Sequence, residues 1–242
     1  MEKYNTTKGL LLQVELPKET NTYKVYSHRQ VIDTTLEAIE KSGFQLASET
    51  YSSTSDGQVA IGKYAIRNVA DNEMQLQIGW INSYNKTKKL GWALGSRIIV
   101  CENGMVSGDL GAFKKKHQGE INEFAPRTII ENVKNAGEIF QNMQKERELM
   151  KQVEVDKLAM AHILGELFIT EEIIQSTQMG IIKREIEMPS FDYGVENSLW
   201  NMYQNVTLSL KELHPSLYMK SHIDAHNYFT KKIESLDSLQ LA

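Results

Sequence analysis

The chain has 242 residues, 41% hydrophobic and 24% charged, which is enough to close a core in one large domain or two small ones. Cys101 is the one cysteine, so an intramolecular disulfide is excluded; no apolar run reaches the roughly 20 residues of a membrane span, and the opening MEKYNTTKG lacks a signal-peptide core. The net charge of −4 is unevenly spread, with −2 over residues 1–83, +5 over 84–119 and −7 over 120–242. These features predict a cytoplasmic protein with no membrane partner and an anion-binding face set between acidic segments.

In chain order, Leu10 to Leu16 reads as a first strand closed by Pro17. Ser27 and Gln30 form a capping box at the start of a helix that carries Ile32, Leu36 and Ile39 on one face, and Gly43 ends it. The period then drops to two. Phe44 to Thr50 is a strand, Ser53 to Gly57 a turn with an Asp-Gly hairpin signal, and Gln58 to Arg67 the returning strand. Ala70 to Glu73 turns again, and Met74, Leu76, Ile78 and Trp80 alternate along the next strand. A lysine-rich loop, SYNKTKKLGWALG, leads into a strand from Ser96 to Cys101. Glu102-Asn103-Gly104 is the next hairpin turn, and Met105 to Phe113 returns. Short connections between successive strands make this an antiparallel meander.

From about residue 120 the pattern is helical. Ile129, Val133, Ala136, Phe140, Met143 and Met150 form a heptad-like seam with Arg147 at the skipped position, on a long helix with Pro126 in its first turn. Such a seam packs on the sheet or on a second copy of the chain. Leu158, Ala161, Ile163, Leu164 and Leu167 make one apolar surface, and Thr170 is placed to cap a helix over 171–182. Met188-Pro189-Ser190 is a break, residues 197–213 form a helix stopped by Pro215, and residues 216–236 form the last. The class is therefore α+β: an antiparallel β-meander with a capping N-terminal helix, then a long helix and a mostly helical C-terminal half. The organisation read from composition is 1–120 for the sheet with its basic loop and 121–242 for the helical region, which can also form one domain with it.

Catalytic signatures are weak. His222 and His226 share a helix face, but the metalloprotease pattern needs Glu where Ile223 stands, so they read as surface or interface histidines. Cys101 ends an apolar run and reads as a small hydrophobe. The glycines around 91–95 and 104–111 match neither a P-loop nor a dinucleotide fingerprint. The expectation is a non-enzymatic protein with no cofactor and no metal.

The basic constellation is stronger. Lys86, Lys88, Lys89 and Arg97 precede the hairpin, and Lys114, Lys115 and Lys116 follow it. Entry and exit of a tight antiparallel hairpin lie at one end, so the two clusters are expected on one surface. Tyr84 and Trp92 stand close by as candidate stacking platforms, although Trp80 and Trp92, each taken singly, read first as core residues. Lysines for phosphates and rings for bases are what single-stranded nucleic acid needs.

The run Ile81-Asn82-Ser83-Tyr84, Gly91, Gly95-Ser96-Arg97, Cys101-Glu102-Asn103-Gly104, Ser107-Gly108 and Lys116-His117 resembles the phage/plasmid-like family called domain of unknown function 932. Leu199-Trp200-Asn201-Met202-Tyr203-Gln204-Asn205-Val206-Thr207 resembles the family's C-terminal motif, with its Asn shifted by one; Asn85 stands where the first motif has Asp. The resemblance covers most of 25–230. It implies a protein of a phage, plasmid or other mobile element and supplies no activity. The helix–meander–helix order also resembles the core of single-strand annealing proteins, which is an analogy of fold. Together these readings predict a DNA-metabolism or recombination accessory that binds nucleic acid, single-stranded DNA above all. The alternative is a protein-binding module that inhibits a host protein through the acidic helical surface.

Overall fold

The alternation of Met74, Leu76, Ile78 and Trp80 becomes the centre of a seven-stranded antiparallel sheet, with all four side chains fully buried. The computed structural model describes residues 4–100, 104–106 and 111–240. The strands are β1 (Asn5–Thr6), β2 (Leu46–Ser53), β3 (Val59–Ala70), β4 (Met74–Ser83), β5 (Leu90–Ile98), β6 (Gly104–Val106) and β7 (Ala112–Lys115). They lie in the order β1-β2-β3-β4-β5-β6, and β7 pairs β5 further along the edge that β6 occupies. Cys101, the turn residues Glu102 and Asn103, and Ser107-Gly108 lie outside the described residues.

Strand β5 begins six residues earlier than the pattern predicted, because Gly91 and Gly95 read as loop. Gly91 is there for close packing instead. A Cβ on it would stand 2.9 Å from Ile81 Cγ2 and 3.1 Å from Met219 Sδ, so the glycine lets a helix approach the sheet. Residues 10–16 form no strand in this sheet; Lys8–Leu11 is a short helix, α1, capped by Thr7.

Helix α2 (His28–Lys41) starts at Ser27 with both halves of the capping box in place: Gln30 N donates to Ser27 Oγ at 3.1 Å and Ser27 N to Gln30 Oε1 at 2.7 Å. Gly43, at φ +73°, follows its end. Helices α3 (Ile121–Lys134) and α4 (Ala136–Gln152) follow the sheet and meet at Asn135, so the predicted long helix is interrupted once. Every residue of the predicted seam, Arg147 included, is buried. Arg147 spans from α4 to the β3–β4 turn, where Nη1 donates to Asp71 Oδ2 at 2.8 Å, while Lys151 reaches Glu73 at 2.7 Å. One face of the sheet thus carries α2, α3 and α4 over Trp80, Trp92 and Leu94. Each fully buried indole removes enough area for roughly 4–6 kcal/mol of transfer free energy, before entropy.

The rest of the chain is α5 (Lys157–Gly165), a π-helical turn at Glu166–Thr170, α6 (Ser176–Glu187), α7 (Leu199–Ser209) with a 3₁₀ turn after it, and α8 (Pro215–Gln240). The cap of α6 is Gln175, not Thr170, because the chain makes the π turn and Glu172 takes a positive φ before the helix restarts. Leu158 stands 79% exposed, outside the predicted apolar surface, whereas Ile163 and Leu167 are buried. Tyr218, Met219 and Ile223 of α8 cover Val59, Ile61 and Ile81 on the second face of the sheet. The main core runs without interruption from α2 and the sheet into α4, α7 and α8. His222 and His226, read from sequence as surface or interface histidines, are buried within the chain in α8, because their face of the helix packs inward. Among the described residues no helix is long and apolar enough to cross a membrane.

Candidate functional site

Asn82 and Ser83 end β4, Tyr84 follows, and each is buried. Asn82 Nδ2 donates to Tyr26 O at 2.8 Å and to His28 Nδ1 at 3.2 Å, while its Oδ1 accepts from Ser83 N at 3.0 Å. His28 Nδ1 is therefore an acceptor, and its Nε2–H donates to Gly57 O at 3.1 Å. The ring is neutral, and burial holds its pKa down at about 4. Tyr84 stacks on His28 at 3.9 Å and its hydroxyl accepts from His28 N at 2.7 Å. These contacts tie the end of β4 to the start of α2.

That tie shapes the basic loop. Ser83 Oγ donates to Lys88 O at 2.9 Å and accepts from Lys88 N at 3.0 Å, which closes residues 84–88 into a ring of chain. Inside it, Asn85 Oδ1 accepts from Thr87 N at 3.1 Å, the side-chain turn that suits asparagine. Lys86 sits between them at φ +63°, a conformation that L side chains rarely adopt. Its ammonium stands 4.6 Å over the Tyr23 ring.

The opposite wall is the end of β7. Leu90 pairs with Lys115, so Lys89 and Lys116 flank the same end of the ladder. His117 then packs inward: its carbonyl accepts from Lys24 N at 2.8 Å, its Nδ1 accepts from Tyr26 N at 3.4 Å, and its ring stacks with Tyr23 at 5.5 Å. Between the walls lies a cavity of about 410 Å³, lined by Lys86, Lys88, Lys89, Lys116, Tyr23 and His117 together with Thr22, Thr87 and Gln118. Among the described residues no carboxylate lines it.

Of the nine candidate residues, four lysines (Lys86, Lys88, Lys89 and Lys116) therefore share one concavity. Lys114 pairs with Gly91 on β5, and its stem lies near that glycine, towards the face that α8 covers. Lys115 turns to the other face, its ammonium 4.5 Å from the Phe124 ring centroid. Arg97 is seven residues along β5 from Leu90, roughly 23 Å away at the rise of a strand. It lines a different concavity, of about 530 Å³, with Lys63 and Lys211. The two aromatic platforms are corrected. Trp92 is fully buried and its indole N–H donates to Thr35 Oγ1 at 3.1 Å; Tyr84 is 3% exposed beneath α2. Helices laid over that face of the sheet leave neither ring for a base. His28 and Tyr23 are the residues that sequence reasoning passed over, and His117 entered it only beside Lys116 in the family resemblance, with no role of its own.

No group of three metal-ligating side chains occurs among the described residues.

The model of the family described as domain of unknown function (DUF932) matches residues 16–232. The chain belongs to the DUF932 family. No curated protein and no solved structure matches it. In this DUF932 protein the Asn82-Ser83-Tyr84 motif is the frame from which the lysine loop hangs, and Tyr203 of the second motif is buried against Phe229 of α8 at 5.1 Å between ring centroids. The matched span includes both walls of the lysine cavity.

Proposed function

We propose that this DUF932 protein binds nucleic acid through its phosphates at the lysine-walled cavity and performs no chemistry on it. One observation carries the reading. Lysines more than 25 residues apart in sequence line a single concavity that contains no carboxylate among the described residues. Lys86, Lys88, Lys89 and Lys116 form no ion pair with a described carboxylate, so their charge is available to a ligand. With Tyr84 and Trp92 inside the core, the contact is ionic, and base identity has little influence. Single strands are favoured because a flexible strand can fold successive phosphates into a bowl, whereas a duplex, stiff over roughly 150 base pairs, meets only its rim.

The test is fluorescence anisotropy with a labelled oligonucleotide over a salt series. Neutralising three or four phosphates gives a slope of log affinity against log salt of roughly −2 to −3 for a single strand. Lys88→Glu with Lys89→Glu is expected to abolish binding at low salt, while Arg97→Ala changes it less than about two-fold, since a cation ~23 Å away is beyond two Debye lengths at 0.1 M salt. Unchanged affinity in the Lys88/Lys89 variant overturns the reading.

A further inference from the structure

We propose that the lysine cavity is built for a terminal phosphate, a phosphomonoester at the end of a strand, with His117 and Tyr23 as its hydrogen-bond donors. The inference rests on the nucleic-acid reading and narrows it to one chemical group.

His117 is 5% exposed and Tyr23 is 6% exposed, and both line the cavity. His117 Nδ1 is engaged as an acceptor from Tyr26 N, so in the neutral ring the proton sits on Nε2. That N–H is buried and has no acceptor among the described residues. The Tyr23 hydroxyl is also buried without a partner. Buried polar groups are nearly always paired, and two orphans in one stacked pair are an exception that calls for a cause. Every other polar group that sequence reading or geometry assigns to this end of the sheet has its partner: Asn82, Ser83, Tyr84 and both ring nitrogens of His28. At this end of the sheet the shortfall is confined to the two rings under the lysines; the other buried atoms without a partner lie away from the cavity, at Ser96 on β5 and around Glu146, Tyr203 and His226.

The unmet groups and the charges ask for the same thing. An imidazole N–H, a phenol O–H and four ammonium groups all donate, so their ligand must accept and carry negative charge. A phosphodiester within a strand has one negative charge and two free oxygens. A terminal monoester has up to two charges and three free oxygens, and answers more of the donors gathered here. The cations also lie around one bowl and not along a track, since Lys114, Lys115 and Arg97 diverge from it. Neither orphan atom is open to water, so the anion reaches them by a slip of the Tyr23–His117 stack, on which Lys86 already rests.

The experiment compares one oligonucleotide sequence in three forms, with a 5′-phosphate, with a 3′-phosphate and with hydroxyls at both ends, each against the intact protein. Deoxyadenosine monophosphate and inorganic phosphate serve as competitors. The expected result is binding about ten-fold tighter to one phosphorylated end than to the hydroxyl form, the size of a charge-assisted contact. The competitors tell whether the strand, the nucleoside or the phosphate alone supplies the affinity; effective competition by the free phosphates at strand-like concentrations overturns the assignment to a strand end. Tyr23→Phe removes only an unpaired hydroxyl, so it is expected to fold at least as stably as the parent while losing the preference; His117→Phe, which keeps a ring in the stack, is expected to lose it too. Equal binding of all three strands overturns this inference and leaves the nucleic-acid reading standing. Absence of binding to any strand overturns both. A preference that survives in Tyr23→Phe and His117→Phe overturns the assignment of the donors.

Discussion

Two buried polar clusters lie in one core and have been finished differently. At the end of the sheet, Asn82, His28, Tyr84 and Tyr26 exchange hydrogen bonds of 2.7–3.2 Å until each side chain has its partners. Between α4, α7 and α8, Tyr203 and His226 are buried beside the half-buried Glu146, yet among the described residues the Tyr203 hydroxyl, His226 Nδ1 and Glu146 Oε2 have no hydrogen bond. His226 Nε2 lies 3.5 Å from Glu146 without bonding to it. The first cluster holds a shape. The second raises the Glu146 pKa to about 7 and lowers that of His226 to about 4, both by burial, so that each group is pressed towards its neutral form. A satisfied network makes a rigid frame for the lysine loop, and an unsatisfied one makes a region whose stability depends on pH.

The contrast breaks most severely at Asn82. Asn82→Ala removes two donors and one acceptor from a site with no exposure, leaving the Tyr26 carbonyl and His28 Nδ1 unpaired. At about 1–2 kcal/mol for each of the two buried groups left without a partner, the loss is roughly 2–4 kcal/mol. Urea denaturation measures it, with the midpoint falling and the slope unchanged. Oligonucleotide affinity falls with it, since Ser83 and the loop hang from the same residues. A loss below about 1 kcal/mol would mean that the network frames nothing.

The second cluster responds in the opposite direction. Glu146 binds its proton more tightly folded than unfolded, so its contribution to stability is fully present below pH 4.5 and is lost as pH rises through about 7. His226 has a depressed pKa, so its contribution is present above pH 6.5 and is lost as pH falls through about 4. Between those limits the two slopes oppose. Glu146→Gln removes one of them. Relative to the parent, the variant is expected to gain roughly 3 kcal/mol between pH 4.5 and pH values above 7, an upper figure for a carboxyl 24% exposed. Thermal melts across that range check it; a difference independent of pH would place the carboxylate in contact with water.

The frame was more legible in the sequence than the site. The Ser27–Gln30 capping box, the β4 alternation and the Ile129–Met150 seam are local patterns, and each reports its own burial. The seam even marked Arg147, whose partner Asp71 is 76 residues away. Local pattern failed where a distant element decides. Gly91 looks like loop until Met219 of α8 is laid against it, and only Thr35 of α2, which accepts from the Trp92 indole, decides that Trp92 is core and not platform. The convergence of Lys89 with Lys116 was legible because hairpin geometry fixes it, and Arg97 was misplaced because the strand starts at Leu90, so Arg97 is near its far end. His117 and Tyr23 carry no periodic signal: what distinguishes them is a missing partner, which exists only in three dimensions.

The smallest expected effect is at Lys86, where the frame and the site meet. At φ +63° a lysine pays roughly 1 kcal/mol of backbone strain that glycine does not. Its ammonium over the Tyr23 ring returns about 0.5–1 kcal/mol at an exposed position. Lys86→Gly removes both, so its stability is expected to stay within about 0.5 kcal/mol of the parent. Binding separates the terms that stability cannot. One fewer cation lowers the magnitude of the single-strand salt slope by about 0.7. If the slope holds while affinity falls, the loop conformation matters and the charge does not. If neither changes, Lys86 stands at the rim of the cavity as a spectator, and the remaining three lysines hold the phosphate.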